Sequence, residues 1–144
     1  DTYGYNQGDN LILALANLLK NEIDPSHDFV GHIGGDDFIL VFQSSDWHER
    51  CQRVLQGFES YVPWQYEKRH REMRGIEAID RQGNPVFFPL VSLSLAAIPV
   101  EPQIYRSHSE IAAAMVEVKK QAKAIKGNSL FIDRRKPSDT PATS

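Results

Sequence analysis

The sequence predicts an α/β protein of the α+β kind, with a mixed, mainly antiparallel sheet flanked by helices. Three observations predict it. Apolar residues recur at helical spacing in three segments, short apolar and β-branched runs come in pairs around glycine or polar turns, and both patterns share one chain of 144 residues without an internal repeat.

Leu11, Leu15 and Leu18 mark one helical face, Ile12 and Leu19 widen it, and Asp9 or Asn10 stands where a cap would open a helix running to Lys20. The runs from Asp28 to Ile33 and from Asp37 to Phe42 enclose Gly34 and Gly35, which predicts a hairpin. Asp46 with Glu49 three residues on resembles a capping box, and Trp47, Val54 and Phe58 give the helix behind it one apolar face. From Tyr61 to Arg74, Trp64 and Tyr66 mix with Lys68, Arg69, Arg71 and Arg74; Glu67 and Glu72 dilute that charge, so a solvated helix or loop is expected rather than a nucleic-acid patch.

A second hairpin is expected from Ile76 to Ile79, the turn Asp80-Arg81-Gln82-Gly83-Asn84, and Val86 to Phe88. It leads into an alternating strand from Leu90 to Ile98. Ser107 with Glu110 is another capping box, followed by the face Ile111, Met115, Val118, Ala122 and Ile125, with lysines 119, 120, 123 and 126 in the final turns and Gly127-Asn128 as the stop. A short strand, Leu130 to Ile132, precedes a Pro, Ser and Thr-rich tail expected to be disordered.

Hydrophobic content of 41% suits one compact domain with one core. The formal net charge of -3 gives no global field toward nucleic acid or an anionic membrane, so an anionic ligand would need local groups and metal ions. The single cysteine, Cys51, cannot form an internal disulfide; beside Trp47, Val54 and Phe58 it reads as a small buried hydrophobe and fits a reducing cytoplasm. No apolar stretch reaches the roughly 18 residues of a membrane span, so no membrane contact by this domain is expected. The opening at Asp1, without initiator methionine or signal sequence, suggests a piece of a longer parent, cytoplasmic or anchored at a membrane.

Gly34-Gly35-Asp36-Asp37-Phe38 sets two carboxylates directly after a glycine turn at the head of a strand read as buried. Glycine permits close approach of phosphates, and paired acidic oxygens suit Mg²⁺ that bridges carboxylates and nucleotide phosphates. The same letters also describe a Gly-Gly hairpin with polar flanks.

The surrounding motifs bear on that choice. Asp1-Thr2-Tyr3-Gly4-Tyr5-Asn6-Gln7-Gly8-Asp9 is similar to an N-D-x-x-G-H-x-x-G-D segment entered one residue late, with Tyr5 at the histidine. Asp28-Phe29-Val30-Gly31-His32-Ile33 is similar to D-x-V-x-R-x, with His32 at the arginine. Ser92-Leu93-Ser94-Leu95-Ala96 looks like T-V-S-I-G, and Ala122-Lys123 like the A-K pair of a last helix. In this order and spacing, over nearly the whole chain, they resemble the GGDEF family, the diguanylate cyclase-type module of bacterial cyclic di-GMP signalling, with a GGDDF signature.

The resemblance implies a nucleotide cyclase or palm-like fold with a ferredoxin-like core, spanning residues 1–133 before a tail at 134–144. It implies that the family's first strand, with a metal-binding aspartate and an F-K-x-x-N segment, precedes Asp1. It implies that Asp9 accepts hydrogen bonds from guanine, that Gly34 and Gly35 lie beneath the phosphates of GTP, and that Asp36 coordinates Mg²⁺ or Mn²⁺. Asp37 would support the metal or activate the attacking hydroxyl, one methylene shorter than the usual glutamate. Lys123 would contact phosphate, although lysines at a helix end also complement its dipole.

The family's reaction joins two GTP molecules across two facing domains, so activity implies a homodimer. The family's inhibitory R-x-x-D site would place arginine where Pro25 stands, and the A-K-x-x-G-R-N ending here reads Ala122-Lys123-Ala124-Ile125-Lys126-Gly127-Asn128, without the arginine. Those departures leave three readings: an active cyclase, a degenerate GTP-binding or interaction module regulating a fused domain such as an EAL phosphodiesterase, and a structural dimerisation unit.

Overall fold

The computed structural model describes residues 4–101 and 103–133, with side chains from residue 8 onward. They fall into two compact units, one ending at Val91 and the other beginning at Ser92. The tail expected to be disordered lies outside the described residues. Among the described residues no helix is long and apolar enough to cross a membrane.

In the first unit, α1 (Gly4–Asn21) begins well before the predicted start. A nucleated helix gains a hydrogen bond with each added residue, so the leucine stripe carries it back through Gly8, and Asp9 stands inside the second turn rather than at a cap. Leu15 and Leu19 bury the stripe. They face α2 (Trp47–Tyr61), whose Val54 and Phe58 are buried together with Val62 of the 3₁₀ turn Val62–Gln65. The helices approach closely at Gly57, where an added Cβ would lie 2.6 Å from a Leu18 methyl.

The capping box expected at α2 does not form. Asp46 is the N-cap residue, but its carboxylate pairs with Arg50 at 3.0 Å and caps no backbone N–H. Opposite charge one turn into the helix outcompetes the amide.

Both hairpins form. β1 (Phe29–Gly34) pairs antiparallel with β2 (Asp37–Val41), and β3 (Gly75–Ile79) with β4 (Pro85–Pro89). In the second hairpin, Asp80 Oδ1 accepts from the N–H groups of Gln82 and Asn84, and Gly83 supplies a positive φ of 85°. The short α3 (Lys68–Met73) precedes it and stops at Arg74 in the left-handed region, φ 59°. The basic stretch there is largely engaged: Arg71 lies over the Trp64 ring at 4.4 Å and donates to the Tyr66 carbonyl at 3.1 Å, while Lys68 lies 3.9 Å from Glu72.

In the second unit, β5 (Ser94–Ala97) pairs in parallel with β6 (Ser129–Ile132), and α4 (His108–Ala124) packs on both. Here the capping box is present: Ser107 Oγ accepts from the Glu110 N–H at 3.2 Å, and the Glu110 carboxylate accepts from the Arg106 N–H at 2.6 Å. Ala114, Val118 and Ala122 are the buried face, and Ile104 and Tyr105 close the core around Ala114. The Tyr105 hydroxyl donates to Asp133 at 2.5 Å. β5 is shorter than the predicted strand, beginning only at Ser94; the Leu93 N–H before it donates instead to the Asn128 side chain at 2.6 Å.

The class is the expected α+β. Where one mixed sheet was expected, the described strands pair as three two-stranded ladders, two antiparallel and one parallel. Alternation along a strand specifies which residues share a face but not which neighbour takes its edge.

Candidate functional site

The Gly34 to Asp37 segment makes the turn between β1 and β2. Gly34 pairs with Asp37, leaving Gly35 and Asp36 as the two central residues. The reversal therefore falls on Gly35-Asp36 rather than on Gly34-Gly35 as the sequence suggested. Gly35 has φ 53° while no positive φ falls on Asp36, the pattern of a type II′ turn with glycine first.

A register shift explains the displacement. His32 pairs with Phe38 and Gly34 with Asp37, so Ile33 is an extra residue, a β-bulge that adds local twist and re-aims the turn. Across it, the His32 ring stacks on Phe38 with centroids 4.5 Å apart and planes 9° from parallel, and His32 Nε2 lies 2.7 Å from the Gly35 carbonyl. A carbonyl oxygen only accepts, so Nε2 carries the hydrogen.

At this turn Asp36 is exposed and Asp37 half-buried at the first position of β2. The strand is partly exposed along its length, not buried as expected, with Ile39 and Val41 open to solvent. A Cβ added at Gly34 or Gly35 would meet nothing within 4 Å. Open space over two glycines beside two carboxylates admits a phosphate group closely. Asp9 belongs to the same unit, exposed on α1 next to Gly8, where an added Cβ would also meet nothing within 4 Å.

Residues 1–85 match the sequence family described as diguanylate cyclase, GGDEF domain. The chain belongs to the GGDEF family. It is thus a diguanylate cyclase-type domain of cyclic di-GMP signalling. No curated protein and no solved structure matches the chain.

GGDEF cyclases are generally dependent on a divalent metal. The donors at the turn fit one: Mg²⁺ commonly takes one or two carboxylates and completes its octahedron with substrate phosphates and water. Asp36, exposed, and Asp37, half-buried, would supply that number, and among the described residues no group of three or more His, Cys, Asp or Glu side chains gathers into a fuller cage. Of the other expected site residues in this GGDEF chain, Lys123 is exposed in the last turn of α4, in the second unit. The segment leading to Asp9 begins outside the described residues.

Sequence reasoning missed a network at the far end of the hairpin. Asp28, just before β1, accepts from the N–H groups of Gln43 at 2.8 Å and Asp24 at 2.9 Å, and from Arg50 Nη1 of α2 at 2.8 Å. The Gln43 and Asp24 amides, and then the Arg50 charge, hold its carboxyl below the usual range. Asp28 is the residue matched by resemblance to the aspartate of an R-x-x-D pattern, with Pro25 standing at its arginine. Nothing in local spacing signals Arg50, which lies 22 residues away.

Proposed function

We propose that this GGDEF domain binds GTP with Mg²⁺ at the Gly35-Asp36 turn and, as a homodimer with one GTP in each copy, forms cyclic di-GMP. The observation that carries this reading is the exposed Asp36 beside Asp37 on a type II′ turn with open space over Gly34 and Gly35.

Bound Mg²⁺ would supply positive charge to the triphosphate, and Asp36, supported by Asp37, would hold it. Gly34 and Gly35 leave the backbone uncovered so that phosphate oxygens come near it. Asp9 would accept from the N–H groups of the guanine edge, a pairing that adenine's edge does not offer. Asp37 would take the proton of the attacking 3′-hydroxyl. The oxygen of each 3′-hydroxyl forms a bond to the α-phosphorus of the opposing GTP, the bond to pyrophosphate breaks, and two such steps close the ring. Positioning and charge supply most of the rate. Lys123 would add a phosphate contact, and the family domain would extend over 1–133.

A second reading rests on His32. At the position where the family carries arginine, the imidazole is engaged with the Gly35 carbonyl and Phe38, so it offers no free guanidinium fork to a phosphate. That favours a GTP-binding domain that regulates a fused partner, such as an EAL phosphodiesterase, without turnover.

One assay separates the two. The full-length protein with Mg²⁺ and GTP is expected to release pyrophosphate and form cyclic di-GMP, and Asp36→Ala to abolish both. Absence of product over a wide range of protein concentration rejects the cyclase. GTP binding by calorimetry that disappears in Asp9→Ala would then leave the regulatory domain, and no binding would reject both.

A further inference from the structure

The Asp28 carboxylate is the most completely buried charge in the network at the hairpin root. Its side chain is 1% exposed, and that of Arg50 17%. A carboxylate so enclosed must be paired, and its partners come from three elements. Its Oδ1 accepts from Gln43, two residues past the end of β2; its Oδ2 accepts from Asp24, in the connection after α1, and from Arg50 of α2. The same Arg50 Nη1 donates to the carbonyl of Glu22, just past the end of α1, at 2.8 Å. Arg50 Nε reaches Asp46 at 3.0 Å, and Arg53 holds the Glu22 carboxylate at 2.8 Å. One guanidinium therefore ties the end of α1, the root of the hairpin and the start of α2.

These are the elements that carry the proposed site. Asp9 lies on α1, and Asp36 and Asp37 lie at the other end of the hairpin whose root Asp28 closes. A two-stranded ladder is marginally stable by itself, so what holds its root bears on its direction relative to a helix. We propose that Asp28 and Arg50 form a positioning latch: the pair sets the angle of the β1–β2 hairpin against α1 and so aligns the acidic turn with Asp9 for one nucleotide. The inference rests on the GTP-binding reading above and concerns residues that touch neither metal nor nucleotide. It assigns Asp28 to alignment of the substrate site.

The test compares wild type with Arg50→Gln and Asp28→Asn in the full-length protein, by amide hydrogen exchange and by Mg²⁺-dependent binding of GTP and ATP. Each single variant is expected to exchange residues 29–41 about tenfold faster while α4 and β6 are unchanged, and the double variant to be no faster than the singles. The wild-type preference for GTP over ATP is expected to fall about fivefold or more, because a swung hairpin parts Asp9 from the phosphates. A merely structural pair would weaken both nucleotides equally and leave their ratio intact.

Unchanged hairpin exchange, or faster exchange with the preference retained, overturns the latch while leaving GTP binding standing. A wild-type protein that binds neither nucleotide overturns the GTP-binding reading and the alignment role with it. Should Arg50→Gln fail to fold, Arg50→Lys, which keeps the charge but cannot hold two acceptors from one planar fork, gives the same comparison.

Discussion

His32 Nε2 donates to the carbonyl oxygen of Gly35 across 2.7 Å, over the bulged residue Ile33, and so staples β1 to the turn that presents Asp36. The ring also lies flat on Phe38, directly across the ladder. One side chain thus braces both sides of the signature.

Removing that brace gives the first prediction. His32→Ala is expected to cost about 1 kcal/mol of stability, the range of one side-chain hydrogen bond with a little packing. Its larger effect falls on the turn: amide exchange of Gly35 to Asp37 should accelerate while α4 is unchanged. Equal exchange at the turn in both proteins would show that Gly35 holds its conformation unaided.

Gly75 carries the second. A Cβ there would overlap the Phe87 ring and the carbonyl oxygen of Phe88, on the partner strand of the second hairpin. Gly75→Ala is expected to destabilise the protein by about 1–3 kcal/mol, as overpacking does. Adding Phe87→Ala should restore only part, because the backbone oxygen cannot move aside alone. Denaturant titration of the three variants would check the order; full recovery in the double variant would place the clash on the ring alone.

Acid sensitivity follows from Asp28. Its folded carboxyl is held below the ordinary 3.8, chiefly by the Gln43 N–H, then by the Asp24 N–H and Arg50. Because the folded value is the lower one, the stabilisation is fully present above the unfolded value and is lost as pH falls through the folded one. Asp24 and Asp46 are lowered too, the first by a hydrogen bond from the Ser26 N–H and the second by the nearby Ser44 hydroxyl and then Arg50, and act in the same sense. Melting temperature should therefore drop between about pH 4 and lower values, and Asp28→Asn should be less stable at neutral pH yet flatter through that range. An equally steep acid limb in the variant would remove Asp28 from the account.

Cys51 supplies the last. Burial pushes its thiol up to about 11, so at neutral pH the reactive thiolate is scarce. An aromatic disulfide reagent should label the native protein far more slowly than the denatured chain. Similar rates in both would show that the thiol is reached without unfolding.

What the sequence determined by itself is local. The leucine stripe of α1, the two hairpins, the Ser107-Glu110 cap and the adjacency of Asp36 and Asp37 are all written at spacings of one to four residues, where geometry is set by the backbone period. The motifs within residues 1–85 likewise carry the family. Tertiary structure decided the rest: the bulge at Ile33 moved the reversal onto Gly35-Asp36, and Asp28 found a partner 22 residues away, on α2. Those outcomes depend on which groups packing brings within hydrogen-bond reach and shields from water, and no periodicity along a chain records that.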